Sequence, residues 1–249
     1  MTAASEDRWG RRKLLALVAT VAVAAVGGVV GLGYAVLVVV SPVDPADPAV
    51  SAAPTAPQSR EAIAAAPMLD VAPQDARGGT PATTAAPPIS VPGATHVGAA
   101  DVPTGFPRTP EGAVGQLAAI AAVALQGTSV QTTVAVHDAW ASDGAPSSAE
   151  WALTSAVQAF LGSAAGPWAD DPGTSLATVP LAGQVKGVDG PDWVLACVLF
   201  EVTATVVTQA RTAFGHCEQM AWDADRWVIA DGAYPAQAPS TWPGTEQAA

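Results

Sequence analysis

Residues 193–229 read WVLACVLFEVTATVVTQARTAFGHCEQMAWDADRWVI, a pattern that is typical of antiparallel strands. Trp193–Val207 is rich in Val, Leu and Thr, which suit a pleated sheet. Its first half is apolar at successive positions, so we expect it to be buried on both faces. Arg211–Trp222 alternates less regularly, and Asp223–Asp225 turns the chain into Arg226–Ala230. The stretch therefore predicts three neighbouring strands.

Both cysteines of the chain lie in this stretch. If the first two strands form a hairpin centred near Val207, positions whose numbers sum to 414 face each other, and Cys197 and Cys217 do so. Such a pair suits a disulfide in an oxidising compartment. Two buried free thiols are the alternative. We expect no metal site, because the cysteines and His216 lack a fourth ligand at a recognisable spacing.

A further strand is predicted upstream, at Leu176–Val188. Pro180 interrupts it and cannot donate a ladder hydrogen bond, so this strand should lie at an edge or carry a bulge. Asp189-Gly190-Pro191 is a turn signal between it and the next strand.

Three helices are predicted before the strands. Thr109-Pro110-Glu111 is a suitable helix start, and apolar residues recur at helical spacing until Gly127. Ser129–Ala141 is a second helix. Ser147–Glu150 is a capping box that should open a third helix. Helices followed by an antiparallel meander indicate the α+β class.

The N-terminal part of the chain predicts a membrane anchor. Residues 14–40 are 27 uncharged, mostly apolar residues, enough to span a bilayer as a tilted helix. Arg8, Arg11, Arg12 and Lys13 precede this run, so the positive-inside rule places residues 1–13 in the cytoplasm and the remainder outside the cell membrane. A cleaved signal peptide and a twin-arginine export signal are less favoured interpretations, since the run is too long for the first.

Gly27, Gly31 and Ala35 share one face of this predicted helix. Small residues at that spacing let two membrane helices approach closely, so self-association is one hypothesis. A generic anchor without association is the other.

Residues 41–105 predict a disordered Pro/Ala-rich linker, because 14 of the 22 prolines fall between residues 41 and 110. Beyond residue 40 the chain has 20 acidic and 6 basic residues, a net charge of −14. A segment this acidic repels phosphates, so we expect no direct nucleic-acid binding.

The order of elements resembles the nuclear transport factor 2-like cone fold, and the one-helix anchor is similar to the bitopic scaffold proteins of type IV secretion and conjugation machines. More specific motifs resemble uncharacterised membrane proteins of actinobacterial integrative conjugative elements, over about residues 105–244. These motifs are Gly105–Ala113 (GFPRTPEGA), Asp189–Cys197 (DGPDWVLAC), Gly215–Glu218 (GHCE) and Pro239–Gly244 (PSTWPG).

The resemblance implies a cone-like domain at 106–236, with three helices on a curved antiparallel sheet, and a Pro-rich tail at 237–249. It also implies a non-enzymatic assembly component of a conjugative transfer or secretion apparatus, whose partners are other envelope or transfer-machine proteins or further copies of itself. The alternative is an extracytoplasmic protein that binds a small molecule in an apolar cone cavity.

Only His137-Asp138 and His216/Glu218 resemble an acid–base set. Adjacent residues of a helix point about 100° apart, so His137 and Asp138 should not enter one pocket together. His216 and Glu218 share a strand face that could be the solvent face. The favoured interpretation is that all four are solvated or capping side chains, so we expect no catalytic residues, cofactor or metal.

The tryptophans are interpreted as packing residues. Trp151, Trp193, Trp222 and Trp227 suit a core or an interface better than a ligand cage. For Trp242, in the Pro-rich tail, the sequence leaves two alternatives, packing back onto the domain or contacting a partner.

Overall fold

A computed structural model describes residues 59–126, 129–163, 173–206 and 208–248. The described part is α+β, with a four-stranded antiparallel sheet in the order β3-β4-β5-β6. The strands are β3 (Ser175–Val188), β4 (Trp193–Thr205), β5 (Gln209–Asp223) and β6 (Arg226–Ile229), after a small ribbon of β1 (His96–Val97) and β2 (Pro103–Thr104). The helices are α1 (Arg60–Ala65), α2 (Pro110–Gln126), α3 (Val130–Trp140) and α4 (Ala152–Gly162).

The register of the sheet agrees with the sequence. Trp193 pairs with Ala221 and Cys197 with Cys217, so the predicted hairpin alignment is confirmed. β3 is an edge strand of the sheet, and its register shifts between Pro180 and Ala182, as the proline predicts. The first six residues of β4 are buried, which confirms that this half is covered on both faces.

Helices α2, α3 and α4 cover one face of the sheet. α2 packs against β3 and β4, and it also contacts α3 and α4. The core-facing side chains of β4 alternate with those of the opposite face, as period-two geometry requires. The core between helices and sheet contains Leu117, Ile120, Val136, Trp140, Leu153, Val194, Ala196, Val198, Phe200, Met220 and Trp227.

Two of the three helix starts predicted from capping chemistry are confirmed. The Thr109 hydroxyl accepts the Gly112 amide at 3.1 Å, and the Ser129 hydroxyl accepts the Thr132 amide at 3.3 Å. The third prediction is wrong, because α4 begins at Ala152 with Trp151 as its N-cap residue. Ser147 and Glu150 form a turn of their own instead, in which the two side chains hydrogen bond at 2.8 Å.

Residues 59–105, which the sequence assigned to the linker, belong to the same compact unit as the domain. Ser59–Ala249 is one compact unit. Within it, the Ile63 and Ala64 side chains of α1 are buried, and Ile63 packs in a small cluster with Trp193 and Leu195. The apolar side chains of α1 explain why this segment differs from the predicted disordered linker. They are removed from water when they pack against Trp193 and Leu195 on the sheet.

The predicted membrane run at 14–40, with Gly27, Gly31 and Ala35, lies outside the described residues. Among the helices that are described, none has the length and apolar character needed to cross a bilayer.

Candidate functional site

A cluster of buried polar side chains lies between β5 and the helices, and we call it the polar cluster: His137, Trp151, His216 and Glu218. His216 and Glu218 alternate on β5 opposite Val198 and Ala196, two residues of the main core. Because residues i and i+2 of a strand share a face, both side chains point to the helix-covered side of the sheet. Each is at most 5% exposed.

Glu218 is the hydrogen-bonding centre of the polar cluster. Its Oε1 atom accepts the indole N–H of Trp151 at 2.7 Å, and it lies 3.0 Å from Nε2 of His216. The His216 ring is not aligned for a hydrogen bond along that contact, and its Nε2 has no other partner. The carboxylate is therefore held by one well-directed donor and one close imidazole.

Trp151 also joins the two histidines. Its ring centroid lies 5.1 Å from that of His137 and 6.3 Å from that of His216. The Phe214 ring stacks with the His216 ring, and their centroids are 6.2 Å apart. Trp151 thus fixes the positions of the imidazoles and, as N-cap residue, the start of α4.

Two further polar atoms on the helices are buried without a hydrogen-bond partner: Nε2 of His137, in the polar cluster, and Oγ1 of Thr154, on α4. His137 is 4% exposed and Thr154 is 1% exposed. Buried polar atoms are nearly always hydrogen bonded in proteins, so the unpartnered Nε2 of His137 marks the polar cluster as a functional candidate.

Asp138 does not enter the cluster. Its side chain is 64% exposed, whereas that of His137 is 5% exposed, which confirms that the two diverge on the helix. Nδ1 of His137 lies 3.4 Å from the Asp138 carboxylate. This contact directs Nδ1 toward Asp138 and leaves Nε2 of His137 as the ring nitrogen without a partner.

Tyr234 and Glu150 lie at the surface side of the polar cluster. The Tyr234 hydroxyl donates to the Ser147 carbonyl oxygen over 3.4 Å. Burial, followed by the negative charges of Glu218 and Glu150, raises the pKa of Tyr234 to about 12. The phenol therefore lies in a negative potential that extends from the buried carboxylate to the surface.

The expectation that His137, His216 and Glu218 are solvated or capping side chains is wrong, since all three are buried. The predicted register contained the signal that could have shown this, because it places His216 and Glu218 opposite the apolar Val198 and Ala196. The participation of Trp151 depends on where α4 begins, and the capping box predicted a different start.

The opposite face of the sheet carries the predicted disulfide. Cys197 and Cys217 are bonded to each other, and their Cα atoms are 4.0 Å apart. Both are buried under Ala238 of the C-terminal tail and Met68. The bond therefore links the two central strands beneath a covering layer.

This layer is made of two segments, residues 59–82 and 236–248, which we call the clasp. The Ala236 amide donates to Ala64 at 2.9 Å, and the Trp242 amide donates to Asp75 at 2.6 Å. Pro81 and Thr245 form an antiparallel bridge. The two ends of the described domain are thereby joined to each other across the sheet.

Trp242 packs back onto the domain, which resolves the alternatives left by the sequence. The Arg211 guanidinium lies 5.6 Å from the Trp242 ring centroid, a cation–π distance. Of the other four tryptophans considered, Trp151, Trp193 and Trp227 are buried, and Trp222 packs against Trp227 at 5.4 Å. All five are packing residues, and Trp151 is in addition part of the polar cluster.

The β3 patch, which we define as Val179 and Leu181, is an exposed apolar surface on the edge strand. These side chains are 52% and 48% exposed. Val179 pairs with Glu201, on the face opposite the helix core, and Leu181 stands at the bulge after Pro180. Pro180 and the bulges interrupt the row of backbone hydrogen-bonding groups along this edge. A partner would therefore contact the exposed side chains rather than pair with the strand.

Within the described residues, no three His, Cys, Asp or Glu side chains are grouped to hold a metal ion. Comparison with known protein families, with curated proteins and with solved structures gives no significant match.

Proposed function

We propose that this chain is a membrane-anchored, non-enzymatic assembly component of a conjugative transfer or secretion apparatus. The observation that carries the proposal is the filling of the space between helices and sheet by large side chains. Trp140, Trp151 and Phe200 have no exposed surface there. A cone-shaped ligand pocket needs that space open, whereas a scaffold can fill it and act through its outer surface.

The location is part of the same proposal. The apolar run at 14–40, with cationic residues before it, is the anchor, and the domain lies outside the cytoplasm. The Cys197–Cys217 disulfide supports this location, because such bonds persist in oxidising compartments. The resemblance to conjugative-element membrane proteins and to cone-fold scaffolds supplies the type of apparatus.

The β3 patch is the contact surface that we propose for an envelope or transfer-machine protein. Exposed Val179 and Leu181 are two residues apart in a strand with no acidic residue, on a domain whose charge is otherwise strongly negative. An apolar patch of this kind gains free energy when a partner removes it from water.

Affinity purification of the full-length chain from membranes of the native host tests this proposal. Wild-type protein is expected to retain envelope or transfer-machine proteins, and the V179D/L181D double variant is expected to lose them. V97D is the matched control, because Val97 is 63% exposed at β1, away from the patch. Equal recovery of partners by wild type and V179D/L181D contradicts the contact surface, and recovery of no partner by wild type contradicts the assembly role.

A second candidate function is the binding of a small molecule, and the polar cluster is the observation that favours it. Its unpartnered buried atoms, Nε2 of His137 and Nε2 of His216, would be satisfied by a bound hydrogen-bonding group. A small-molecule binding assay with the purified protein separates this candidate from the assembly role, because the assembly role requires contacts with other proteins only.

A further inference from the structure

We propose that α1 exchanges between two copies of this chain, so that the α1 helix of each copy docks on the sheet of the other. This inference deepens the proposed assembly role, and it rests on that role for the membrane anchor that brings the copies together. In the structure the chain's own α1 fills the receiving surface. We call this surface the α1 site, and it consists of Lys186, Gly187, Asp189, Trp193 and Leu195.

The α1 site is apolar and has room for one branched side chain. Trp193 and Leu195 are at most 1% exposed where Ile63 of α1 packs on them. Gly187 pairs with Leu195 across the β3–β4 ladder, so both residues face α1. A Cβ atom at Gly187 would stand 2.5 Å from Cγ2 of Ile63. The glycine therefore leaves the space that the Ile63 side chain occupies.

Polar contacts at both ends fix the direction in which α1 docks. Nε of Arg60 donates to the Asp189 carboxylate at 2.6 Å, and the Arg60 guanidinium lies 5.5 Å from the Trp193 ring centroid. The Lys186 ammonium donates to backbone carbonyl oxygens at the C-terminal end of α1, where helix carbonyls lack partners of their own. The α1 site thus recognises a short helix with a cation at its start and a branched apolar side chain three residues later.

α1 is short enough to leave the site. It has six residues, and an isolated helix of that length is not stable in water, so α1 is helical because it is docked. Only Ile63 and Ala64 of the helix are buried. Release of α1 therefore breaks few contacts, and the exposed α1 site gains free energy when a helix covers it again.

A second copy of the chain supplies a helix that fits this site by identity. Its α1 has the same sequence and makes the same contacts, which is why exchange of identical elements is a low-cost route to dimers. Exchange in both directions fills both sites, so the dimer is closed. Copies that are anchored in one membrane also meet at a raised effective concentration.

The chain that follows α1 is long enough for the exchange. The next backbone bond to the other half of the clasp is at Asp75, whose carbonyl oxygen accepts the Trp242 amide. Residues 66–72 precede the helical turn Pro73–Ala76 and reach about 25 Å when extended. Met68 gives up its contact with the disulfide cluster in the exchanged form. This reach suffices for a neighbouring copy that lies side by side with the first.

Cross-linking of two full-length chains in one membrane tests the proposal. One chain carries I63C, and the other carries G187C and a different affinity tag. A side chain at residue 187 clashes with Ile63 of its own chain, whereas the smaller side chain of I63C leaves room for it. On mild oxidation we expect a disulfide-linked I63C–G187C heterodimer, roughly tenfold more abundant than with G78C in place of G187C. Gly78 has nothing within 4 Å of its Cβ position, so G78C reports random collisions.

The I63C/G187C double variant is the reference within one chain. A bond that closes in its monomer shows that the two positions reach each other when α1 is docked. If this internal bond forms and the heterodimer does not exceed the G78C control, exchange between copies is overturned.

Charge reversal tests the exchange if G187C does not fold. R60D and D189R each place like charges at the Arg60–Asp189 contact of their own chain. In a mixture, each α1 meets an opposite charge only on the other chain. The two variants should co-purify in detergent roughly threefold more than copies of either variant alone, since exposed ion pairs contribute modestly. Equal co-purification in the mixed and single samples would also overturn the proposal.

Partner recovery through the β3 patch separates this proposal from the assembly role. Recovery of envelope or transfer-machine proteins without an I63C–G187C heterodimer overturns the exchange alone. A heterodimer that forms when no such protein is recovered supports the exchange and contradicts the assembly role.

Discussion

Glu218 illustrates how one residue connects several elements of this domain. Its carboxylate accepts the Trp151 indole N–H at the start of α4 and lies 3.0 Å from His216 on its own strand. Removing one partner of a buried pair leaves the others unsatisfied, which costs more than the pair contributes when intact.

Glu218→Ala should therefore lower the free energy of unfolding by about 3 kcal/mol. Glu218→Gln should lower it less, because an amide oxygen can still accept from Trp151. Urea unfolding followed by circular dichroism measures both, and Glu246→Ala is the surface control. A Glu218→Ala variant as stable as the control would contradict the role assigned to the carboxylate.

Tyr234 gives the domain a defined response to alkaline pH. Its pKa is raised to about 12 in the folded protein, from the ordinary value of 10. The unfolded chain thus loses the phenol proton before the folded one does. The stability from this group is fully present below pH 10 and is lost as the pH rises through about 12.

Between those two pH values, wild-type protein should lose stability more steeply than Tyr234→Phe. The slope of unfolding free energy against pH, measured by denaturant titration at several pH values, checks this prediction. Identical slopes would show that the phenol ionises equally in both states.

Single residues differ in how far the sequence predicted them. The cysteine pairing follows from hairpin symmetry, which needs only two strands and a turn. The burial of His216 and Glu218 follows from the same symmetry only when the residues opposite them are also considered. The contact between Trp151 and Glu218 joins positions 67 residues apart, and no local pattern specifies it.

Strands and helices with a clear hydrophobic period were predicted well from the sequence. The start of α4 was predicted wrongly, and the structure shows the reason. The Ser147–Glu150 box forms its turn, but the buried Trp151, whose backbone is extended, separates that turn from the helix. Tertiary anchoring of one tryptophan thus overrides the local capping signal.

The clasp is the element that the sequence predicted least. Its proline content is typical of disordered segments, yet its backbone groups bond to each other across the sheet. Gly215 shows how close this layer lies, because a Cβ atom at this position would stand 2.3 Å from the Pro239 carbonyl oxygen.

Gly215→Val should displace residues 236–248 and lower the unfolding free energy by roughly 1–3 kcal/mol. The disulfide beneath should also be reduced faster by dithiothreitol in the native protein. Gly78→Val is the matched control, since nothing lies within 4 Å of its Cβ position. Equal reduction rates in the two variants would mean that the clasp does not shield the bond.

At the scale of the molecule, the domain is larger than the 106–236 segment expected from the sequence. A fragment of residues 106–236 would expose the buried Trp193, Leu195 and Cys197, because it lacks the clasp segments, including α1, that cover them. We expect it to be less stable than residues 59–249 by more than about 3 kcal/mol, from the loss of apolar burial. Urea unfolding of the two fragments compares them, and equal midpoints would contradict the assigned domain boundaries.

The account as a whole depends on an anchored chain whose domain works beyond the cytoplasm. Labelling of intact cells with a membrane-impermeant maleimide tests this most directly, with single cysteines introduced at Ser90, which is exposed on the domain, and at Thr2. The account predicts that S90C in the membrane fraction is labelled on intact cells, whereas T2C reacts only after lysis. Protection of S90C until lysis, or its recovery as soluble protein lacking residues 1–40, would contradict it.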